Sequence, residues 1–331
     1  MRRESNSGSS DGIMDRRSFL SLVPAAAAAA VARPALAAAP MAGFPAPGFH
    51  RMKLGDYELT ALLDGVLPVP LADLYNNTTP EHVEEALGAA FLRSPVELSV
   101  NAFLLNTGER LVLIDAGTGS LLGPSLGRLP AALKASGYSP EQVDDIILTH
   151  IHADHSGGLV AGGEPVFPKA TVHANRRDVD YWLNPANRDA APAGKKESFV
   201  NAIASLAPYR EAGRLMPFDD DAEPVPGFRT VLRPGHTPGH SAVVVDSRGE
   251  KLVLWGDITH GDVIQFDEPG IGIAFDEDSE AAAATRALAF AEAADERYLV
   301  GGAHIRFPGL GHVRRDERGY DWVPVNYSLP G

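Results

Sequence analysis

The stretch Thr149-His150-Ile151-His152-Ala153-Asp154-His155-Ser156-Gly157-Gly158 carries three imidazoles and a carboxylate within six residues. It directly follows Ile146-Ile147-Leu148, an apolar run that reads as a buried strand. A strand ending in His-x-His-x-Asp-His places several ligand side chains on one short loop. Imidazole and carboxylate suit a divalent ion such as zinc. Ser156-Gly157-Gly158 reads as a turn into a helix. Further ligands of the same type recur downstream: His236 in Pro234-Gly235-His236-Thr237-Pro238-Gly239-His240, Asp257 after Leu252-Val253-Leu254-Trp255-Gly256, and His304 after Tyr298-Leu299-Val300-Gly301-Gly302. Each stands at the C-terminal end of a probable strand, where α/β architectures tend to build their sites.

With Asp115 in Leu113-Ile114-Asp115-Ala116-Gly117, this set resembles the metallo-β-lactamase superfamily in its two-metal hydrolase branch. Within that branch it resembles methyl parathion hydrolase and its lactone- and aryl-ester-hydrolysing relatives. The resemblance runs from about Gly48 to Tyr327. Stretches closer to the subgroup are Gly123-Pro124-Ser125-Leu126-Gly127-Arg128-Leu129, Phe307-Pro308-Gly309-Leu310-Gly311-His312 and Trp322-Val323-Pro324-Val325-Asn326-Tyr327.

The resemblance implies that His150, His152 and His236 bind one metal ion, that Asp154, His155 and His304 bind a second, and that Asp257 bridges both. Two ions about 3.5–4 Å apart can share a hydroxide, lower its pKa and polarise a scissile C=O or P=O bond. No protein nucleophile is then needed. Asp154 is a candidate proton acceptor, with basicity reduced by ligation. Asp115 reads either as a strand-end turn residue or as the partner that orients a ligand histidine, and the second role is the expectation. His240 reads as support of its loop. His50, His82, His173 and His312 read as surface or packing residues. His260 leaves the same strand end as Asp257, so lining the pocket competes with packing as its role.

Trp182 and Phe199 fall in the region that forms pocket walls in the resembled subgroup, with ordinary core packing as the other reading. An apolar aromatic wall suits a neutral, ring-bearing substrate. His260, Ile273 and Phe275 depart from the subgroup's smaller or purely apolar residues, and the expectation is a narrower, more polar pocket.

Composition sets the outer limits. The 331 residues suffice for one large domain or two small ones, and the charged and apolar fractions are those of a soluble globular protein. The formal net charge of −14 disfavours phosphate-backbone binding and so weighs against nuclease chemistry. The absence of cysteine excludes disulfides and thiolate ligands. Asp15-Arg16-Arg17-Ser18-Phe19-Leu20 resembles a twin-arginine export signal. The apolar run Leu20–Ala32 and an A-x-A site at Ala35-Leu36-Ala37 follow. The run is short for a membrane span, which needs about 20 residues. The expectation is therefore a signal over residues 1–37, no stable membrane anchor and a periplasmic or secreted protein. Met14 is an alternative start. Removing 1–37 takes away five arginines and three acidic residues and leaves the remainder near −16 by the same counting.

The Ala/Pro-rich segment 38–47 reads as a flexible arm, and 48–331 as one domain. Strands are expected at Tyr57–Leu63, Ala102–Leu105, Leu111–Ile114, Ile146–Leu148, Thr171–Ala174, Phe228–Leu232, Ala242–Val245, Leu252–Asp257 and Tyr298–Val300. Helices are expected at Pro80–Phe91, Leu129–Ser136, Arg176–Leu183, Glu197–Leu206 and Glu280–Ala294. A long Pro/Asn/Ala/Gly loop, of a kind often functional, separates the third helix from the fourth. Asn106–Arg110 reads as a hairpin turn. This order suits an α/β four-layer αβ/βα sandwich, which is also what the resemblance implies.

The leading expectation is an exported dinuclear zinc hydrolase of small neutral lactones or aryl esters, with organophosphate triesters as a further substrate class. The alternatives are a β-lactamase, a glyoxalase-type thioesterase or a non-catalytic metal-binding protein. No nucleic-acid partner is expected. A homodimer is suggested only by the resemblance.

Overall fold

The computed structural model describes residues 39, 41, 43 and 45–327, so the twin-arginine segment lies outside the described residues. All helices and strands among the described residues belong to the unit Ala46–Gly331, and the described residues of 38–47 carry neither.

Two main sheets form the body of that unit. The first runs β1 (Phe49–Leu54), β2 (Tyr57–Val69), β3 (Val96–Asn106), β4 (Leu111–Ile114), β5 (Asp145–Ile147), β6 (Thr171–Asn175) and β7 (Leu215–Phe218), hydrogen-bonded in that order. Its first four strands pair antiparallel, and β4 to β7 pair parallel. The second sheet runs β8 (Phe228–Leu232), β9 (Ser241–Ser247), β10 (Glu250–Leu254), β11 (Leu299–Gly301), β12 (Leu310–Arg315) and β13 (Tyr320–Pro324). Only β10 and β11 pair parallel there, because helix Ser279–Glu296 lies between them in sequence.

Side-chain alternation places the layers. Along β3 and β4, Phe103, Leu105, Val112 and Ile114 join Val243, Val245, Leu252 and Leu254 of the second sheet in one core, so the two sheets face each other. Leu104, Leu111 and Leu113 point the other way, onto helices α2 (Leu129–Ala135), α4 (Arg176–Trp182) and α6 (Lys196–Glu211). Helix α1 is Pro80–Ala89, α3 the single turn Ala153–Ser156, and α5 Pro185–Ala190. On the far side, Val244, Val253 and Val300 pack on Ala289, Phe290 and Ala293 of α7 (Ser279–Glu296). This is the four-layer αβ/βα sandwich, and period-2 alternation on two-sided strands is its cause.

Several elements differ from the sequence reading. β2 continues to Val69 through a bulge at Leu63/Gly65, and β3 begins at Val96. The long loop contains α5, with the Asn184 side chain accepting the Ala186 N–H at its start. Strands β1, β7, β12 and β13 were not expected. β1, β7 and β13 are sheet edges; β12 ends in Arg314 and Arg315, and β13 has no buried residue, so neither shows an apolar pattern.

Candidate metal centre

The ligand loops leave the sheets at one end of the sandwich. After β5 the chain passes through Leu148 and Thr149 to His150 and His152, and α3 then presents Asp154 and His155. The loop between β8 and β9 carries His236. Asp257 follows β10, and His304 follows β11.

Seven residues converge in two clusters that share Asp257: His150, His152 and His236 with Asp257, and Asp154, His155 and His304 with Asp257. The Asp257 carboxylate is divided between them. Its Oδ2 lies 3.2 Å from His236 Nε2 and 3.8 Å from His150 Nε2, and its Oδ1 lies 3.1 Å from His155 Nε2 and 3.2 Å from His304 Nε2. Asp154 Oδ2 stands 3.2 Å from His304 Nε2 and 3.6 Å from His155 Nε2. His152 turns its Nδ1 inward, 3.1 Å from His150 Nε2 and 3.0 Å from His236 Nε2.

Outer partners decide which nitrogen carries the proton in four of the five rings. His155 Nδ1 faces Asp115 Oδ2 at 2.8 Å, His236 Nδ1 faces Asp276 Oδ1 at 3.0 Å, and His304 Nδ1 faces the Ser99 carbonyl at 2.9 Å. His150 Nδ1 meets Thr149 Oγ1 at 3.1 Å, and that hydroxyl donates to Asp115. Each outer nitrogen therefore donates, which leaves the inward Nε2 atoms with lone pairs. His155 Nε2 and Asp257 Oδ1 are buried without a hydrogen-bond partner. Lone pairs and carboxylate oxygens converging in a largely buried site need a cation between them, and this donor set fits two divalent ions.

The field of the site favours positive charge where these nitrogens converge, a proton or, in its place, a metal ion. Burial opposes charge on His236 and His304, yet facing carboxylates, Asp257 first, push them up to about 9 and about 10. Burial likewise disfavours charge on Asp154 and Asp257, but the surrounding histidines hold both carboxyls well below the usual range. Burial keeps His150 and His152 neutral.

Backbone geometry is part of the construction. Asp115 has a φ of 61°, and its carboxylate accepts the Thr149 N–H at 2.8 Å, so one residue shapes the strand end and holds a ligand ring. Gly256 has a φ of 58°, and a Cβ there would stand 2.7 Å from Thr149 Oγ1 and 2.8 Å from His240 Nε2. Only glycine lets the chain deliver Asp257 between those two side chains.

A cavity of about 360 Å³ opens over the cluster. His152, Asp154, His236, Asp257 and His304 reach it, with apolar Leu67, Val69, Leu98, Leu122 and Phe275 and polar Lys195, Ser198, Asn201 and Glu277. His260 lines it as well, with Nε2 at 3.1 Å from Asp257 Oδ2 and its ring stacked on His304. Three expected wall residues do not line this cavity. Ile273 is fully buried against Val69, Leu71 and Tyr75. Trp182 and Phe199 are buried in the helix–sheet core, 4.7 Å apart between rings. The reason is that their helices turn these faces toward the first sheet, and Trp182 touches the site only from behind, through an edge contact with His152.

Residues that the sequence reading missed supply the framework. Asp276 holds His236 and also accepts the Ile273 N–H. Asp178, fully buried at the start of α4, accepts from both ligand loops. Glu277 receives Lys195 at 2.7 Å and the Tyr181 hydroxyl at 2.9 Å, tying the rim together. A lone acidic residue in a helix or loop gives no sequence signal that separates these roles from surface solvation.

The family model described as Metallo-beta-lactamase superfamily matches residues 95–304. The chain belongs to the metallo-β-lactamase superfamily. Among solved structures, it is similar to the hydrolase AbOPH in the beta lactamase superfamily, with a TM-score of 0.82 and 34% identity over 86% of this chain and 100% of that one. It is also similar to AidC, a dizinc quorum-quenching lactonase solved with the product N-hexanoyl-L-homoserine (TM-score 0.79, 29% identity, 86% and 99% coverage). Among curated proteins, the N-acyl homoserine lactonase of Bacillus cereus is 27% identical over 48% of this chain and 63% of its own length. The probable metallo-hydrolase Rv2300c of Mycobacterium tuberculosis is 29% identical over 48% and 56%. The match thus spans less than two thirds of these curated relatives.

Proposed function

We propose that this chain is a dinuclear metallo-hydrolase of small neutral lactones or aryl esters, with zinc as the preferred ion and organophosphate triesters as poorer substrates. The observation that carries the reading is the pair of clusters sharing Asp257 at the floor of the cavity. Two divalent ions bound there would supply an activated water and polarise the scissile carbonyl. The chain's own residues do the rest. Asp115, Asp276 and the Ser99 carbonyl fix the ligand rings, so that no reorganisation is needed during the reaction. Asp154, the more exposed of the two ligand carboxylates, is the candidate proton acceptor, with its basicity reduced by ligation. Leu67, Val69, Leu98 and Phe275 exclude water and receive an apolar ring or chain, while Ser198 and Asn201 offer polar contacts.

The lactonases and the dizinc neighbour support lactones as the first class to test. A glutathione thioester is disfavoured, because Lys195, the cation lining the cavity, is already paired with Glu277. Export through a twin-arginine route, supported by Asp15–Leu20 and the apolar run behind it, and a homodimer supported by the resemblance belong to the same proposal.

The deciding experiment compares lactones, aryl esters, phosphotriesters, β-lactams and thioesters on the zinc-loaded protein, with and without a chelator. Lactone or aryl ester should lead, and chelation should abolish turnover. A leading β-lactam or thioester rate, or turnover that survives metal removal, would replace this reading.

A further inference from the structure

Asp178 is buried at the first turn of α4, yet its partners lie on two distant loops. Oδ2 accepts the Ile151 N–H at 3.0 Å and the Thr237 hydroxyl at 2.8 Å, and Oδ1 accepts the Gly239 N–H at 2.6 Å. Ile151 stands between His150 and His152, and Thr237 follows His236. The three imidazoles of one cluster are thus carried by the two segments that this carboxylate joins. None of the three partners is a cation, so the charge has no ion-pair role here and its capacity is spent on neutral donors.

The approach is close enough to dictate sequence. A Cβ at residue 239 would lie 2.6 Å from the Asp178 backbone nitrogen and 2.9 Å from both Asn175 Oδ1 and Asp178 Oδ1, so only glycine fits. Asn175 caps the same turn by accepting the Arg177 N–H at 2.9 Å, which fixes the start of α4 and with it Asp178. The other cluster has its own outer partners, Asp115 behind His155 and the Ser99 carbonyl behind His304; Asp115 also reaches His150 through Thr149, but neither partner touches Asp178.

From this asymmetry, and resting on the two-metal reading, we propose that Asp178 is a positioning residue that sets the spacing of the His150/His152 and His236 segments. It thereby controls the affinity of that one metal position and not of the other. Partners behind metal ligands commonly change affinity by about 10- to 100-fold.

The test is stepwise zinc affinity, measured by competition with a chromophoric chelator in two backgrounds. His304→Ala keeps the His150/His152/His236 position, and His236→Ala keeps the Asp154/His155/His304 position. Adding Asp178→Ala should weaken zinc at least about tenfold in the first background and change it by less than about threefold in the second. Thr237→Val, which removes one donor and leaves the carboxylate, should produce a smaller loss in the first background only, and it decides the matter if Asp178→Ala does not fold. Equal weakening in both backgrounds, or none in the first, overturns the proposal. Failure of the otherwise unaltered protein to bind two ions would instead overturn the two-metal reading beneath it.

Discussion

The Nε2 of His240 accepts the backbone N–H of Asp257 at 3.0 Å, while its Nδ1 faces the Arg233 carbonyl at 3.0 Å. The ring is therefore a fixed spacer between the loop after β8 and the residue shared by both clusters. Burial pushes it down to about 3, so it is neutral at any working pH. His240→Ala should cost about 1–3 kcal/mol of stability from an unsatisfied buried N–H, and about tenfold in kcat/KM. Asp257→Ala, which opens both clusters, should lose at least about a thousandfold, or about 4 kcal/mol of transition-state stabilisation. Steady-state kinetics on the two variants checks the order, and comparable losses would mean that Asp257 is not the shared ligand.

Two ions per chain are expected at saturation, because two complete donor sets share one carboxylate. Elemental analysis of the purified protein, paired with activity during titration of metal back into chelated protein, is the check. Full activity with a single ion would remove the second cluster from the reaction.

Substrate preference should follow from Phe275 and His260, whose rings lie 5.8 Å apart at the cavity. They narrow it for a tetrahedral triester more than for a planar ring. An aromatic lactone should exceed a parathion-type triester in kcat/KM by at least about tenfold, or about 1.4 kcal/mol. His260→Leu with Phe275→Leu should shift the ratio toward the triester. Ile273→Leu should leave it unchanged, since Ile273 packs in the core behind the cavity. A ratio indifferent to the double variant would place specificity elsewhere.

Asp178 also predicts a pH dependence. Burial pushes its carboxyl up to about 6, although the Thr237, Gly239 and Ile151 hydrogen bonds and the nearby His236 pull it down. An unfolded aspartate titrates near about 3.9. Between roughly pH 4 and 6 the folded state binds more protons than the unfolded one, so this group's contribution to stability falls as pH rises through that window. Asp178→Asn has no such proton to gain. In chelated protein, the stability of the parent relative to the variant should drop by on the order of 2–3 kcal/mol from pH 4 to pH 7. Denaturant unfolding at both pH values tests it, and a gap that does not move with pH would show that Asp178 titrates normally.

The convergence of the seven His and Asp residues was readable because metal chemistry demands nitrogen and oxygen donors at strand ends, and His150, His152, Asp154 and His155 fall together in the chain. Strands with two apolar faces, such as Leu111–Ile114, were equally plain. Trp182, Phe199 and Ile273 show where the reading ran out. A buried aromatic on a helix has the same spacing whether it faces a sheet or a cavity, and only the rotation of α4 and α6 decides. Asp178 and Asp276 were invisible for a related reason: the site partners they hold, Ile151, Thr237 and Gly239 for Asp178 and His236 for Asp276, lie 27 to 61 positions away in the chain, which no local pattern records.

The consecutive strand order has a consequence for how the molecule is held together. Each sheet is built from neighbouring stretches of chain, the first ending at Phe218 and the second beginning at Phe228. Each cluster then draws two ligands from either half: His150 and His152 with His236 and Asp257, and Asp154 and His155 with His304 and Asp257. An ion in either position is a crosslink between the halves, in a chain that has no cysteine to make one. At a free concentration 1,000 times its dissociation constant, each would add about 4 kcal/mol against separation of the sheets. Chelation would then loosen the hold of one sheet on the other as well as remove the chemistry.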